Sequence, residues 1–145
     1  MQEQLKKYPV VTRISVAWGD MDAAAHVNNT VYLKWGETAR IAYFEAAGID
    51  ISFQSAAGPI LAWQDCKYIY PMTFPDTAIA GIRCTEIRED RLFFEVAIFT
   101  EKHQRIAAIN KFCIVPYDFR KLVKVAIPPN WLTGIEDLES DKIEE

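Results

Sequence analysis

Histidine is scarce in this 145-residue chain, where only His26 and His103 occur. Neither stands at a metal-ligand spacing, so no metal centre is expected. Cysteine is scarce too. Cys66, Cys84 and Cys113 are odd in number and form no C-x-x-C pair, which argues against a disulfide framework and for a reducing compartment. Each lies in a strand-like run, where a thiol packs as a small apolar group. There is no basic excess: 16 Lys and Arg face 20 Asp and Glu, a net charge of -4. Electrostatic binding of nucleic acid therefore has no support, and an anionic ligand needs a local cluster of Lys and Arg to hold it. No apolar run approaches the roughly 20 residues of a membrane span. The segment Met1 to Pro9 is polar and bears lysines, unlike a signal peptide. Internal repeats, low-complexity stretches and linkers are absent. These absences predict a soluble, cytoplasmic chain with no membrane partner, forming a single domain over 1–145.

Half of the residues are hydrophobic and a quarter charged, the balance of an ordinary globular chain with enough length for a core. In Val11 to Trp18 the apolar Ile14, Val16 and Trp18 alternate with Arg13, Ser15 and Ala17, the period of a half-buried strand. Gly19 breaks the run, and the small and polar Asp20 to Asn29 reads as a loop. A helix over Thr30 to Ala47 follows. Asn28, Asn29 and Thr30 are N-cap types, Val31, Trp35, Ala39, Ala42 and Ala46 recur at helical spacing, and Gly48 suits a left-handed stop. Leu33, Ile41 and Phe44 add apolar surface on other sides, so this helix is expected to be mostly buried. Lys34, Glu37 and Arg40 mark its wet edge.

Four more strand-like runs follow: Ile60 to Tyr70, Ala78 to Arg88, Leu92 to Thr100 and Ile106 to Val115. The last two breaks are short enough for hairpins, which implies antiparallel pairing. A short helical segment near Trp131 to Leu138 is expected after Pro128 and Pro129. The core lies at about 9–118, and the acidic tail 139–145 is expected to fray. Segregated helix and strands give an α+β class. A curved antiparallel five-stranded sheet wrapped around one long central helix would cover that helix on most sides.

The stretch W-G-D-M-D-A-A-A-H-V-N-N-T-V-Y, Trp18 to Tyr32, resembles the signature of the hot dog superfamily, in the branch of 4-hydroxybenzoyl-CoA thioesterase and the related bacterial acyl-CoA thioesterases. Gly58 before the next strand and the Y-I-Y-P turn at Tyr68 to Pro71 extend the likeness, which runs from about Val11 to Val115. Two positions depart from the pattern. Ala25 replaces a glycine before the histidine, so the loop must reach its shape with strain or by another route. Gly36 stands mid-helix, where it costs about 1 kcal/mol relative to Ala and either admits another backbone or leaves room for an acyl chain.

The resemblance implies an acyl-CoA thioesterase with Asp22 as the catalytic carboxylate. Thioester hydrolysis needs a base or nucleophile, a donor for the developing oxyanion, and a pocket that excludes bulk water. An ionised Asp22 suits either role, base or nucleophile. Asp20, beside the bend at Gly19, reads as a holder of the turn. His26, Asn29 and Tyr32 are candidates to support or position the substrate, although Asn28 and Asn29 are also explained as helix-start residues. Unpaired amides at a helix start are natural oxyanion donors, which nominates Thr30 and Val31; the backbone at Gly58 and Ile60 is a second candidate. Glu37, flanked by Lys34 and Arg40, reads as part of a solvated ion pair. Trp18, Tyr32, Trp35 and Trp63 are either plain core or the lining of an acyl pocket.

Two other functions compete. A hot dog hydratase or dehydratase uses a His–acid pair with four residues between Asp and His, whereas three separate Asp22 from His26 here, with no proline among them. An acyl-thioester binding module without catalysis is the second. No cofactor beyond the coenzyme A of the substrate is expected, and an exposed sheet edge predicts a homodimer or homotetramer.

Overall fold

The computed structural model describes residues 1–52 and 54–143. A four-residue helix α1 (Gln2–Leu5) precedes strand β1 (Val10–Ser15), and a 3-10 turn (Trp18–Asp20) leads into the loop before helix α2 (Asn29–Ala47). Strands β2 (Gly58–Tyr68), β3 (Thr77–Ile87), β4 (Leu92–Thr100) and β5 (Arg105–Asp118) follow, then a two-residue β6 (Val123–Lys124) and helix α3 (Pro129–Ile143). The main sheet runs β1-β3-β4-β5-β2, antiparallel throughout, with β6 beside β5. No helix among the described residues is long and apolar enough to cross a membrane.

The local chemistry of α2 explains its limits. Asn28 caps it in an extended conformation and accepts a bond from the Thr30 amide, and Gly48 ends it at φ 74°, a left-handed conformation in which a side chain would be strained. Tyr32, Trp35, Gly36, Ala39, Tyr43, Phe44 and Ala47 are its buried residues. They form a stripe at three- and four-residue steps that presses on β1, β3, β4 and β5. Tyr43 and Phe44 meet Phe94 edge-on, and Phe94 stacks on Phe112 at 5.2 Å. Each such ring contributes about 1.5–3 kcal/mol by leaving water.

The structure corrects several expectations. The buried stripe of α2 is turned from the expected one: Val31 and Ala42 are half-buried and Ala46 is exposed, because the amphipathic Tyr32 and Tyr43 go inward. Arg40 is not on the wet edge. Its side chain is 12 % exposed and its guanidinium lies over the Phe112 ring. The first strand ends at Ser15, where the chain enters the 3-10 turn, which leaves Trp18 73 % exposed. Trp63 is 50 % exposed on the edge strand β2, just past an irregularity in its pairing with β5. Neither tryptophan is core. Helix α3 is longer than expected, reaching Ile143, so 139–143 is helical rather than a loose tail. Glu139 accepts bonds from the Tyr43 hydroxyl at 2.9 Å and the Cys84 amide at 2.8 Å, which anchors the helix. Residues 144–145 of the expected tail lie outside the described residues. Helix α1 was not anticipated. It brings Met1 and Leu5 against a small second cluster of Tyr8, Ile79, Ala97 and Phe99.

Candidate active site

The loop before α2 is folded by its own polar groups. Asp20 accepts a bond from the Ala17 amide through Oδ2 at 2.8 Å, and its carbonyl accepts from the Asn28 amide at 3.0 Å. It holds the turn, as its position beside Gly19 suggested. A bridge between Met21 and Val27 closes the loop, and the Val27 amide donates to the Met72 carbonyl at 2.9 Å. Inside the loop the Asp22 amide donates to His26 O and the Ala25 amide to Asp22 O, at 3.1 and 2.9 Å. This tight winding puts Ala25 at φ 59°. The loop thus reaches its shape with strain, since a left-handed non-glycine residue costs about 1–2 kcal/mol.

Asp22 is exposed and tethered by both oxygens. Oδ1 accepts from the Ala24 amide at 2.9 Å and Oδ2 from Asn28 Nδ2 at 3.1 Å. An ionised carboxylate offers about four acceptor sites, so two remain open to water or substrate. The His26 ring does not bond the Asp22 carboxylate among the described residues. Its Nδ1 lies 2.9 Å from the Ala24 carbonyl; a carbonyl only accepts, so Nδ1 is the donor in this bond.

Asn28 serves two partners, holding Asp22 through Nδ2 and, through Oδ1, accepting from the Thr30 amide and hydroxyl at 2.9 and 2.6 Å. The Thr30 amide is thereby spent, and the Val31 amide donates to the Asn28 carbonyl at 3.0 Å. Neither expected oxyanion donor is free. At the start of α2 the amide of Asn29, its first residue, has no acceptor among the described residues, and within the loop the amides of Ala23 and His26 have none either. Gly58 and Ile60 are elsewhere. They pair with Tyr117 and Val115 at the far end of β2 from Tyr68, and the ten residue steps from Gly58 to Tyr68 span about 33 Å. Within one chain they do not reach the Asp22 loop.

Asn29 instead meets Tyr68, whose hydroxyl donates to the Asn29 carbonyl at 3.0 Å. Tyr32 is 3 % exposed. Its hydroxyl accepts from the Met72 amide at 3.1 Å, and its ring lies edge-on to Trp35 and Tyr68 at 5.2 and 5.4 Å. Burial raises the Tyr32 phenol above its ordinary pKa, with the Met72 amide acting the other way. Its hydroxyl fixes the segment after β2, and its ring lines the cleft. That cleft, about 250 Å³, is bounded by Val27, Asn29, Tyr32, Tyr68, Ile69, Tyr70 and Pro71.

Asp76 supports the floor of this end of the sheet. It accepts from the Thr100 hydroxyl and from the Thr77 and Lys102 amides, while its carbonyl accepts from Val16 N. A larger cavity of about 630 Å³ lies between Cys84–Ile87 at the end of β3 and Leu132–Ser140 of α3. It is removed from this loop, since the Tyr43 that reaches its Glu139 stands fourteen residues beyond Asn29, about 21 Å along α2. No group of three or more His, Cys, Asp or Glu among the described residues could hold a metal ion.

The family profile of the thioesterase-like superfamily matches residues 16–135, which include the whole Asp22 loop, α2 and the four strands after it. The chain belongs to this superfamily. Its fold is the hot dog fold of that family, as solved structures bear out. The PA5185 protein from Pseudomonas aeruginosa strain PAO1 is 28 % identical, with 92 % of this chain and 94 % of that one covered at a TM-score of 0.82. A thioesterase from Thermus thermophilus, complexed with coenzyme A and Zn, is 25 % identical, covering 92 % and 96 % at 0.78. The DHNA-CoA thioesterase of Staphylococcus aureus shares the fold at 15 % identity, with 93 % of each chain covered and a TM-score of 0.81. Among curated proteins none matches the sequence. For a member of the thioesterase-like superfamily, the residues that sequence reasoning underweighted are Asn28, Tyr68 and Asp76. Asn28 was readable as a cap, whereas its bond to Asp22 depends on how the loop closes.

Proposed function

We propose that this protein hydrolyses acyl-coenzyme A thioesters to a carboxylic acid and free coenzyme A, with Asp22 as general base or nucleophile. The observation that carries the reading is the pairing of a tethered, solvent-open carboxylate with an unspent amide, that of Asn29, at the start of a 19-residue helix, linked through Asn28. In this reading the thioester carbonyl oxygen accepts from the Asn29 N–H, where the helix end adds a partial positive charge. Asp22 then takes a proton from a water that attacks the carbonyl carbon. The tetrahedral intermediate collapses, the C–S bond breaks, and the thiolate leaves and takes up the proton. Alternatively, Asp22 attacks the carbonyl itself, expels the thiolate and forms a mixed anhydride that water opens. Neither route calls on a metal or a cofactor beyond the substrate's own coenzyme A. The hydratase reading needs a His–acid pair, and the bond of His26 to Ala24 O speaks against it.

The active unit is a homodimer or a dimer of dimers in this reading. Strand β2 is a sheet edge bearing the exposed Leu61, Trp63 and Tyr68, which a second copy would cover. An antiparallel joining of two β2 strands also sets the Gly58 end of one copy beside the Tyr68 end of the other. Sedimentation showing only a 16.6 kDa species would refute the assembly.

The test of the chemistry is Asp22→Asn assayed by thiol release from a panel of acyl-CoAs. Turnover falls by a factor on the order of 10² to 10⁴, the range that base catalysis supplies, while acyl-CoA binding persists. Asp20→Asn costs stability more than rate. Solvent ¹⁸O incorporated into Asp22 in a single turnover marks the nucleophile, with water opening the anhydride at the Asp22 carbon. Wild-type turnover by folded Asp22→Asn protein removes Asp22 from the mechanism, and tight acyl-CoA binding without thiol release by the wild type would identify a binding module.

A further inference from the structure

The end of the sheet that carries Asp22 also carries the turn between β4 and β5. Asp76 holds this turn through Thr100 and Lys102, and the Glu101 amide donates to Thr77 O. Arg105 opens β5 there, with its guanidinium 4.5 Å from the centroid of the Tyr70 ring, and the His103 ring lies 5.0 Å from the same centroid. Tyr70 is in turn a wall of the cleft beside Asn29. The backbone explains the closeness, since the amides of Ile69 and Tyr70 both donate to Ala107 O, two residues past Arg105.

Four arginines lie over aromatic rings: Arg40, Arg83, Arg88 and Arg105. The first three each bond a glutamate, respectively Glu37, Glu95 and Glu86, at 3.4, 3.0 and 3.0 Å. Arg105 has no carboxylate at ion-pair distance among the described residues, and neither has Lys102 or His103. A guanidinium stacked by its face keeps its N–H edges for a phosphate or carboxylate. In a chain of net charge -4, these basic side chains form a local concentration of the kind an anionic ligand requires, since the acids of the same turn are engaged, Glu101 by Arg13 and Asp76 by Thr77, Thr100 and the Lys102 amide.

We infer that Arg105, assisted by Lys102 and His103, seats phosphate groups of the coenzyme A half of the substrate, and that Tyr70 joins this seat to the thioester cleft. The inference rests on the thioesterase reading and narrows it. Coenzyme A brings a diphosphate and a 3′-phosphate, whereas the prosthetic arm of a carrier protein brings a single phosphodiester, so an exposed, unneutralised cluster favours the free coenzyme as carrier.

The experiment compares wild type, Arg105→Ala and Arg105→Lys on an acyl-CoA and on the matching acyl-pantetheine, which lacks the nucleotide. A titration with adenosine 3′,5′-bisphosphate accompanies it. Arg105→Ala lowers kcat/KM for the acyl-CoA about tenfold, mostly through KM, as loss of a charge-assisted bond does. The loss on acyl-pantetheine is several-fold smaller, and Arg105→Lys recovers part of the difference. The bisphosphate binds wild type in a salt-sensitive manner and binds Arg105→Ala at least fivefold more weakly. Equal losses on the two substrates, or equal bisphosphate binding by wild type and Arg105→Ala, overturn the assignment. A loss confined to acyl-carrier-protein substrates also overturns it, by making the turn a docking surface for an acidic protein. The titration requires no turnover. Arg105-dependent binding in a protein that cleaves no thioester would sink the thioesterase reading and leave the phosphate seat standing; cleavage with equal losses does the reverse.

Discussion

Asn28 donates from Nδ2 to Asp22 Oδ2 at 3.1 Å while its Oδ1 accepts from the Thr30 amide at 2.9 Å. One side chain thus fixes the start of α2 and the direction of the carboxylate, so helix and carboxylate cannot be moved independently.

Asn28→Asp separates these two roles. Aspartate caps a helix about as well as asparagine, so the thermal midpoint stays close to wild type. The Nδ2 donor is lost and a second negative charge faces Asp22, which favours protonation of the pair. Turnover falls by about an order of magnitude, and the acid limb of the kcat/KM profile moves to higher pH. A fall in rate with an unmoved acid limb would show that Asn28 acts on the helix alone.

Ala25 is held at φ 59°. Glycine there relieves about 1–2 kcal/mol of left-handed strain and costs about 0.4–1 kcal/mol through the freer unfolded chain. Ala25→Gly should therefore raise the melting temperature by a few degrees at most, without loss of kcat. A lowered melting temperature would mean that the Ala25 methyl makes contacts worth more than the strain.

Gly36 has a specific neighbour. A Cβ there would collide with Asn110 Oδ1, an oxygen with no bonding partner among the described residues on a fully buried side chain. The gap left by the glycine is therefore filled by Asn110, whose Nδ2 donates to Asp65 O at 2.8 Å. Gly36→Ala gains about 1 kcal/mol of helix propensity but displaces Asn110 from that bond, for a net loss of about 1–2 kcal/mol. Adding Asn110→Ala should return most of it, a non-additivity that a double-mutant cycle in urea measures. Stabilisation by Gly36→Ala alone would contradict this packing.

The helix and strands were readable because their signals are local. Asn28 and Gly48 bracket α2, and strand-like runs separated by short breaks mark β3 to β5. The loop before α2 was readable as a motif around Asp22. Contacts between distant segments were not. Tyr68 reaches Asn29 across 39 residues, and Glu139 reaches Cys84 across 55; nothing in the neighbourhood of either residue announces its partner. The acidic C-terminus looked solvated because its charge was visible and the Tyr43 hydroxyl awaiting it was not. Trp18 and Trp63 looked like core because ring size is a local property, whereas their exposure follows from where a strand ends and which strand forms the edge.

Cys84 gives the stability a pH dependence. Burial, with Glu139 beside it, pushes this thiol up to about 12, and burial with Glu139 likewise raises the Tyr43 phenol. An unfolded thiol titrates near about 8.5, so above that pH the folded chain binds more protons than the unfolded one. Stability then falls as pH rises, from about 9 toward 12. Guanidinium midpoints measured across neutral to alkaline pH should decline, and Cys84→Ala should flatten the decline. Disulfide reagents near neutral pH should likewise label Cys84 slowly until the chain unfolds, since the thiolate is the reactive form.

Proline at position 29 tests the Asn29 amide as the proposed oxyanion donor. Asn29 is the first residue of α2, where proline is well accommodated because the missing amide has no helical acceptor. A proline also requires extended backbone in the residue before it, and Asn28 already has φ -64° and ψ 144°. The Asn29 carbonyl that receives the Tyr68 hydroxyl is retained. Asn29→Pro therefore deletes one N–H while keeping the fold, and the melting temperature should change little. If that N–H receives the developing oxyanion, kcat falls by about 10² to 10³, the usual cost of one such donor. Asn29→Ala, which keeps the amide and removes only the exposed side chain, should retain most of the activity. Equal activity in the proline and alanine variants would show that the Asn29 amide does not stabilise the transition state; a large loss in both would move the role from the backbone to the side chain.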